Sequence, residues 1–283
     1  MDRPALVLIL AAIGLAACKP DPVDSADDTN SGPIDTGDTV DTSSPDEPKS
    51  DFTDGTYHVT AMEILDDDQG FDLTGDGEID NKLPAVLTLL DMAMEDDMSR
   101  EGMNATIGAA IEAGDLVQLI EAHNVEVDLT YDLLVGSQDE HGALHLDEAQ
   151  SYDSEGQPWS RLEGAFLDQT TIRLGPDDVQ IPVTFYPEEP ALMIPVAQAI
   201  AEGELTVAGT TCTLGGAIPV DELMVQVVEP LIPEEGYGDQ TKEELLETIE
   251  ALLSNENVAQ IELADGGRGI AAALWFFGEP ATW

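Results

Sequence analysis

The sequence predicts an α+β protein rich in β-structure, with a sandwich-like sheet domain and three or four packed helices behind a disordered N-terminal tether. Alternating apolar and polar residues, the pattern of half-buried strands, recur from residue 56 onward. A few stretches instead place apolar residues at helical spacing behind residues that favour helix starts. Residues 19–55 are rich in Asp, Ser, Thr, Pro and Gly, so they cannot bury enough apolar surface to offset the entropy of ordering.

The charge of the chain limits its partners. The 283 residues include 59 acidic and only nine basic side chains, for a formal net charge of −50. Nucleic acid and anionic lipid headgroups both require a basic surface, so electrostatic binding to either is excluded. We expect cationic partners: metal ions, basic proteins or amines. The same charge is also typical of a protein kept soluble in high salt, whose stability rises as salt relieves self-repulsion.

The N-terminus carries an apolar run that begins at Ala5, follows Arg3 and ends at Leu15-Ala16-Ala17-Cys18. At about 14 residues the run is too short to span a bilayer, which needs about 20. Its final four residues resemble the lipobox of bacterial lipoproteins. That resemblance implies that residues 1–17 form a cleaved signal peptide and that Cys18 carries a covalent lipid.

The lipobox resemblance also predicts where the protein is located. Several acyl chains on one cysteine hold a protein firmly to a membrane, which implies a lipid-anchored protein of the bacterial cell envelope. In these lipoproteins an Asp after the cysteine signals retention at the inner membrane. Lys19 takes that position here, which favours the outer membrane.

The rest of the chain divides into residues 18–55, a disordered acidic tether, and residues 56–283, a single β-rich globular domain with a calcium-type loop at 72–81. An acidic interaction tail is the alternative reading of the tether. The overall layout is similar to that of bacterial surface lipoproteins.

The first half of the globular domain contains three predicted strands and two predicted helices. Thr56 to Leu65 reads as a strand that runs into the Asp-rich loop. After the loop, Pro84 is tolerated in the first turn of a helix whose apolar stripe is Leu83, Leu87, Leu90 and Met94. Ser99 as N-cap and Gly114 as C-terminal stop delimit a second helix. Two strands follow, at Leu116 to Ile120 and at Val125 to Val135.

The second half is predicted to begin with a loop or weak hairpin over residues 137–161. A hairpin is then expected around Gly175-Pro176-Asp177-Asp178, with Pro182 marking a sheet edge. Its two strands are Thr170 to Leu174 and Val179 to Tyr186. The remaining elements are a strand at Glu204 to Thr213, a helix from Pro219 through Val228, a helix behind the capping box Thr241-x-x-Glu244, and a strand at Ala271 to Phe277.

Residues 72–81 carry the only legible site chemistry. Oxygen-bearing residues stand at every second position of Asp72-Leu73-Thr74-Gly75-Asp76-Gly77-Glu78-Ile79-Asp80, as a loop wrapped around a hard cation requires. The stretch resembles EF-hand, dockerin and thrombospondin type 3 loops. The alternative is that Gly and Asp residues simply make a tight solvated turn.

The resemblance implies a weak calcium site with assigned ligands. It places Asp72, Thr74 and Asp76 at positions one, three and five, the carbonyl of Glu78 at seven, and Asp80 at nine. Position twelve falls on Leu83, where an EF-hand has a bidentate Glu. Its loss predicts affinity in the range of about 10⁻⁴ to 10⁻³ M, unless Asp66, Asp67, Asp68 or Asn81 supplies the missing oxygens.

Other candidate residues favour structural roles. Because Cys18 is consumed by the lipid, Cys212 has no disulfide partner and is expected to be a small buried apolar residue. His141 and His145 are four residues apart, but Gly142 lies between them and favours a solvated hairpin over a metal site.

Taken together, the sequence predicts a membrane-anchored, non-enzymatic envelope lipoprotein for binding or scaffolding. Its expected partners are the membrane through the lipid, cations, and an envelope or cell-surface protein or glycan, but no nucleic acid. The alternative is a hydrolase that acts on carbohydrate or envelope polymer through carboxylates that 59 acidic residues make impossible to single out.

Overall fold

The computed structural model describes residues 50–93, 98–125, 128–183, 192–236 and 240–283. The predicted signal peptide, Cys18 and all of the tether before residue 50 lie outside this part of the chain. The β-rich α+β class is confirmed. The sandwich prediction is wrong, because the main sheet closes on itself as an eight-stranded antiparallel barrel.

The strands are β1 (Asp54–Ile64), β2 (Val117–Val125), β3 (Asp128–Gln138), β4 (Leu144–Leu146), β5 (Arg161–Phe166), β6 (Thr171–Val183), β7 (Leu192–Thr206), β8 (Gly209–Pro219), β9 (Ile261–Glu262) and β10 (Arg268–Pro280). The helices are α1 (Leu83–Ala93), α2 (Arg100–Ala113), α3 (Glu148–Ser151), α4 (Val220–Leu223), α5 (Glu229–Leu231) and α6 (Lys242–Leu253), with a π-helical turn, Met224–Val228, joining α4 to α5.

The barrel closes because β1 pairs on both sides. It pairs with β2 at one side and with the C-terminal strand β10 at the other, where Tyr57 lies opposite Pro280 and Ile64 opposite Leu274. The order around the ring is β1-β2-β3-β5-β6-β7-β8-β10, with β4 attached to β3 and β9 to β10. Register shifts in β1, β6 and β7 mark bulges, which bend strands and so assist closure.

The predicted hairpin around residues 175–178 is wrong, because β6 runs through this stretch as one long strand. The four residues are accommodated by two register shifts in its pairing with β7. The Asp177 carboxylate accepts a hydrogen bond from the amide of Glu163 on β5, and the Asp178 carboxylate accepts one from Gln198 on β7. These turn-forming residues therefore join neighbouring strands instead of reversing the chain. Pro182 lies beyond the part of β6 that pairs with β5.

Two other strand predictions are wrong in their limits. Val125 does not begin the next strand but ends β2, where it is 69% exposed. Glu204 to Thr213 is the tip of the β7–β8 hairpin, with its turn at residues 207–208. The predicted hairpin near the two histidines is confirmed, as β4 pairs back onto β3.

The helix boundaries follow the predicted caps. The Ser99 side chain accepts from the amide of Gly102, and Gly114 ends α2 in the left-handed conformation. Thr241 and Glu244 form a reciprocal capping box at the start of α6. In α1 the predicted stripe residues Leu83, Leu87 and Leu90 are buried, whereas Met94 lies outside the described residues. None of the helices among the described residues is long and apolar enough to cross a membrane.

The core has two differently built ends. Strand registers place Tyr57, Tyr131, Thr210 and Cys212 towards one end, where all four are buried. The other end is filled by residues from α1, α2 and the helical turns after β8, together with aliphatic residues of β1, β6, β7, β8 and β10. These residues leave between them an apolar cavity of about 60 Å³. Phe52, two residues before β1, is also buried and lies with its ring centroid 5.8 Å from that of Phe166.

Candidate functional site

The Asp-rich loop connects β1 to α1 and is held against the outer wall of the barrel. The amide of Leu65 donates to the carbonyl of Ala273 at 3.1 Å, and the amide of Lys82 donates to that of Ala271 at 2.8 Å, so both ends of the loop are fixed to β10. Between them, Leu73 packs on an apolar patch of the outer wall formed by Ala217, Ile261, Leu263 and Ala271.

Phe71 fixes the loop at a second point. It lies so close to Gly215 on β8 that a β-carbon there would be 2.5 Å from the Phe71 ring. A Cβ on the adjacent Gly216 would meet Val196 at 2.6 Å. The two consecutive glycines thus lie inside β8, where their missing side chains admit the loop on one side and β7 on the other.

Asp72 organises the first half of the loop. Its carboxylate accepts hydrogen bonds from the amides of Gly75 at 2.6 Å, Asp76 at 3.1 Å and Gly77 at 2.7 Å. These bonds, above all that from Gly77, lower the pKa of Asp72 although the side chain is exposed. A carboxylate at this position therefore stays ionised and sets the curvature of the chain.

Asp80 closes the loop from the other end. It is buried, and one carboxylate oxygen accepts from the amides of Leu73 at 2.7 Å and Thr74 at 2.8 Å. The Thr74 hydroxyl lies 3.4 Å from the other oxygen. Asp76 accepts from the amide of Glu78 at 2.9 Å. The five residues assigned to calcium thus share one short loop, and the carboxylates of Asp72, Asp76 and Asp80 accept hydrogen bonds from its backbone amides.

Of the four residues suggested as additional calcium ligands, Asn81 and Asp66 already bond to other groups. Asn81 is buried; its amide nitrogen donates to the carbonyls of Leu65 and Asp66, and its oxygen accepts from the amide of Leu83. The Asp66 carboxylate pairs with Arg100 at 2.9 Å. Leu83, at the position of the EF-hand glutamate, is buried in the core. Asp67 and Asp68 remain as exposed carboxylates on the same connection.

The described part of the chain contains no group of three or more His, Cys, Asp or Glu side chains close enough to hold one metal ion. The hard oxygen donors of the loop suit calcium in chemical type. Calcium binding would require Asp72, Asp76 and Asp80 to converge, with Thr74 and the Glu78 carbonyl completing the set. The residues therefore fit the ion in chemistry and order, while the ligand cluster itself is not assembled.

The loop leads directly into the helix that fills one end of the barrel. Leu83, Val86, Leu87 and Leu90 of α1 all line the apolar cavity. Any event that stiffens residues 72–81 therefore bears on the packing of α1, since Asn81 joins the loop to the helix start.

Sequence reasoning missed a second feature, a groove between the π-helical turn and α6. It is lined by Asp221, Met224, Val225, Glu229, Leu246 and Glu250. In α6, Leu245 and Ile249 are buried, whereas Leu246 is only partly buried where it packs against the core. All three are apolar residues at helical spacing, so the sequence does not separate the fully buried residues from the one that lines the groove.

The remaining candidates are two exposed histidines and one buried cysteine. His141 and His145 lie exposed in the β3–β4 region, near Glu140 and Asp139 respectively. Cys212 is buried, as predicted, and burial raises the pKa of its thiol to about 12.

No protein-family model, curated protein sequence or solved structure is significantly similar to the chain. The described residues therefore define the protein by its architecture: a closed antiparallel barrel with helical insertions and an Asp-rich loop on its outer wall.

Proposed function

We propose that the protein is a lipid-anchored, non-enzymatic lipoprotein of the bacterial cell envelope, in the outer membrane, which presents its barrel for binding or scaffolding. In this proposal Cys18 carries the lipid, residues 18–55 form the spacer, and weak calcium binding at Asp72, Thr74, Asp76, Glu78 and Asp80 rigidifies the β1–α1 connection. An envelope protein or glycan is the partner class.

The observation that carries the proposal is the position of the loop. It is fixed to β10 at both ends, packs on β8 and β10, and continues into α1, whose apolar residues fill one end of the barrel. A ligand that binds the folded loop and not the unfolded chain stabilises the whole domain by mass action. At a calcium concentration of about one hundred times Kd that stabilisation is about 2.7 kcal/mol.

Calcium also suits the electrostatics of the chain. With a net charge of −50, self-repulsion opposes compact folding, and a bound divalent cation relieves it locally. The Asp72, Asp76 and Asp80 carboxylates would turn towards the ion while their remaining lone pairs keep the amide hydrogen bonds that shape the loop.

The test is calorimetric titration of the full chain with calcium chloride, together with its Asp76→Asn variant. An asparagine oxygen can still accept from the Glu78 amide, so the turn is kept while the charge is lost. We expect binding heat with a Kd of about 10⁻⁴ to 10⁻³ M for the wild type, and a clear loss of affinity for the variant. Calcium should also slow proteolysis within residues 66–83.

Asp139→Asn is the matched control. Asp139 accepts hydrogen bonds from the amides of His141 and Ala143 in a turn of the same kind, but it lies outside the proposed site. The heat of calcium binding to the Asp139→Asn variant should therefore equal that of the wild type. No heat from the wild type, or equal losses in both variants, would show that residues 72–81 form only a turn.

A further inference from the structure

The groove between the π-helical turn and α6 combines an apolar floor with an acidic rim. We refer to its apolar lining residues, Met224, Val225 and Leu246, as the floor and to its acidic lining residues, Asp221, Glu229 and Glu250, as the rim. Val225 is 62% exposed, one of the most exposed large apolar side chains among the described residues. Apolar area left in water is unfavourable, so a partner that covers this floor gains free energy.

The backbone beneath the groove is unusual. Met224–Val228 is π-helical, and the amide of Glu229 donates to the carbonyl of Met224, five residues earlier. Such turns are rare and are often found at functional sites. The inner side of the same turn contributes Val227 to the apolar cavity, so the core holds the turn in place from within.

The charge around the groove is of one sign. All three ionisable residues that line it are acidic. Lys242, at the start of α6, is engaged with Glu234 at 2.8 Å, and the nearby Glu222 carboxylate accepts from Gln226 at 2.7 Å. Among the described residues, the three rim carboxylates have no hydrogen-bond or ion-pair partner.

We propose that this groove docks a basic segment of a partner protein. The aliphatic stems of its Lys or Arg side chains lie on Met224, Val225 and Leu246, and their charged ends pair with Asp221, Glu229 and Glu250. Long basic side chains bury their stems on apolar surface in this way while keeping the charge at the rim. The shallow groove suits protruding side chains better than a small molecule, which a pocket normally encloses for the most part. The inference rests on the binding role proposed above and names its partner, but it does not depend on calcium.

The test measures binding of the full chain to a short end-blocked peptide of lysine and leucine by calorimetry. It is performed at about 0.15 M salt, where a Debye length of about 8 Å screens distant carboxylates. The triple variant Asp221→Asn, Glu229→Gln, Glu250→Gln should bind about tenfold more weakly. Val225→Ser should also weaken binding, through loss of the apolar floor, and a peptide with Glu in place of Lys should not bind.

The matched control neutralises three exposed carboxylates outside the groove, with Glu63→Gln, Glu112→Gln and Glu155→Gln. It changes net charge equally and should alter affinity by less than about twofold. Equal weakening in both triple variants would show diffuse attraction to an acidic protein and overturn the proposal. So would the absence of peptide binding to the wild type, or full affinity in Val225→Ser. Circular dichroism of each variant establishes that it is folded, and a failed peptide test leaves the calcium result intact.

Discussion

At one end of the barrel, Tyr57 and Tyr131 fill the core and hydrogen-bond within it, whereas at the other end aliphatic side chains of helices fill it and leave a cavity of about 60 Å³. The Tyr131 hydroxyl lies 3.0 Å from that of Thr210, which donates to the carbonyl of Glu204. Directional bonds therefore position the first end. The packing of the second end depends on how well side chains from separate elements fit together, and a gap remains between them.

The difference has a physical origin in chain connectivity. The tyrosine end is made by residues of the strands themselves, whose register fixes them relative to one another. The cavity end needs α1 and α2, which enter through the β1–β2 connection, and the helical turns that follow β8. Interiors normally pack densely, so a void of this size marks the place where these separately connected elements meet. The two ends should respond differently to substitution, and each response can be measured.

The largest effect is expected from Leu90→Ala, which enlarges the cavity. Leu90 is buried in α1 and lines the void, so truncation should lower the free energy of unfolding by about 2–5 kcal/mol. Urea denaturation measures it. Leu167→Ala, at a position 54% exposed, is the control and should change stability little. A loss below about 1 kcal/mol for Leu90→Ala would mean that α1 does not depend on this packing.

The tyrosine end should give a distinctive alkaline response through Cys212. Burial raises the pKa of this thiol to about 12, whereas an unfolded thiol titrates near 8.5. The folded state holds the thiol in its neutral form. The contribution of this thiol to stability is therefore complete below the unfolded pKa of about 8.5, and it is lost as the pH rises towards the pKa of the folded state. Stability should fall by up to about 1.4 kcal/mol per pH unit in this window on account of Cys212.

Unfolding of the wild type and of Cys212→Ala in urea at several alkaline pH values provides the check. The free energy of unfolding of Cys212→Ala should fall less steeply with pH than that of the wild type. The loss of unfolding free energy caused by Leu90→Ala should be the same at each pH, because no residue that lines the cavity titrates. Parallel curves for wild type and Cys212→Ala would contradict a buried neutral thiol.

The smallest effect is expected from filling the void with Ala272→Val. At about 24 cal/mol per Å³, a 60 Å³ cavity costs about 1.4 kcal/mol, and two added methyl groups should recover up to about 1 kcal/mol of it. Ala271→Val is the adjacent control. Its side chain packs tightly with Ala217 and Ile261 on the outer wall, so overpacking should destabilise it by about 1–3 kcal/mol. Thermal unfolding distinguishes a gain from a loss.

Local chemistry made much of this protein predictable. Ser99, Gly114 and the pair Thr241 and Glu244 act through bonds to neighbouring backbone groups, so their helix limits are visible in the sequence. The Asp72 to Asp80 stretch is predictable as a loop for the same reason, since its carboxylates bond to amides within eight residues. Its calcium binding and the lipid on Cys18 remain predictions.

Tertiary structure alone decided the closure of the sheet, the path of β6 and the existence of the groove. An inward apolar face has the same alternation in a sandwich as in a barrel, and the pairing of β1 with β10, from Tyr57 opposite Pro280 to Ile64 opposite Leu274, distinguishes them. Asp177 and Asp178 lie in a strand because their carboxylates accept hydrogen bonds from backbone amides of β5 and β7, which are distant in sequence. The sequence by itself determined the hydrogen bonds that each segment makes within its own few residues. The tertiary structure decided which segments meet, because pairing energy between distant strands is not encoded in any single stretch of the chain.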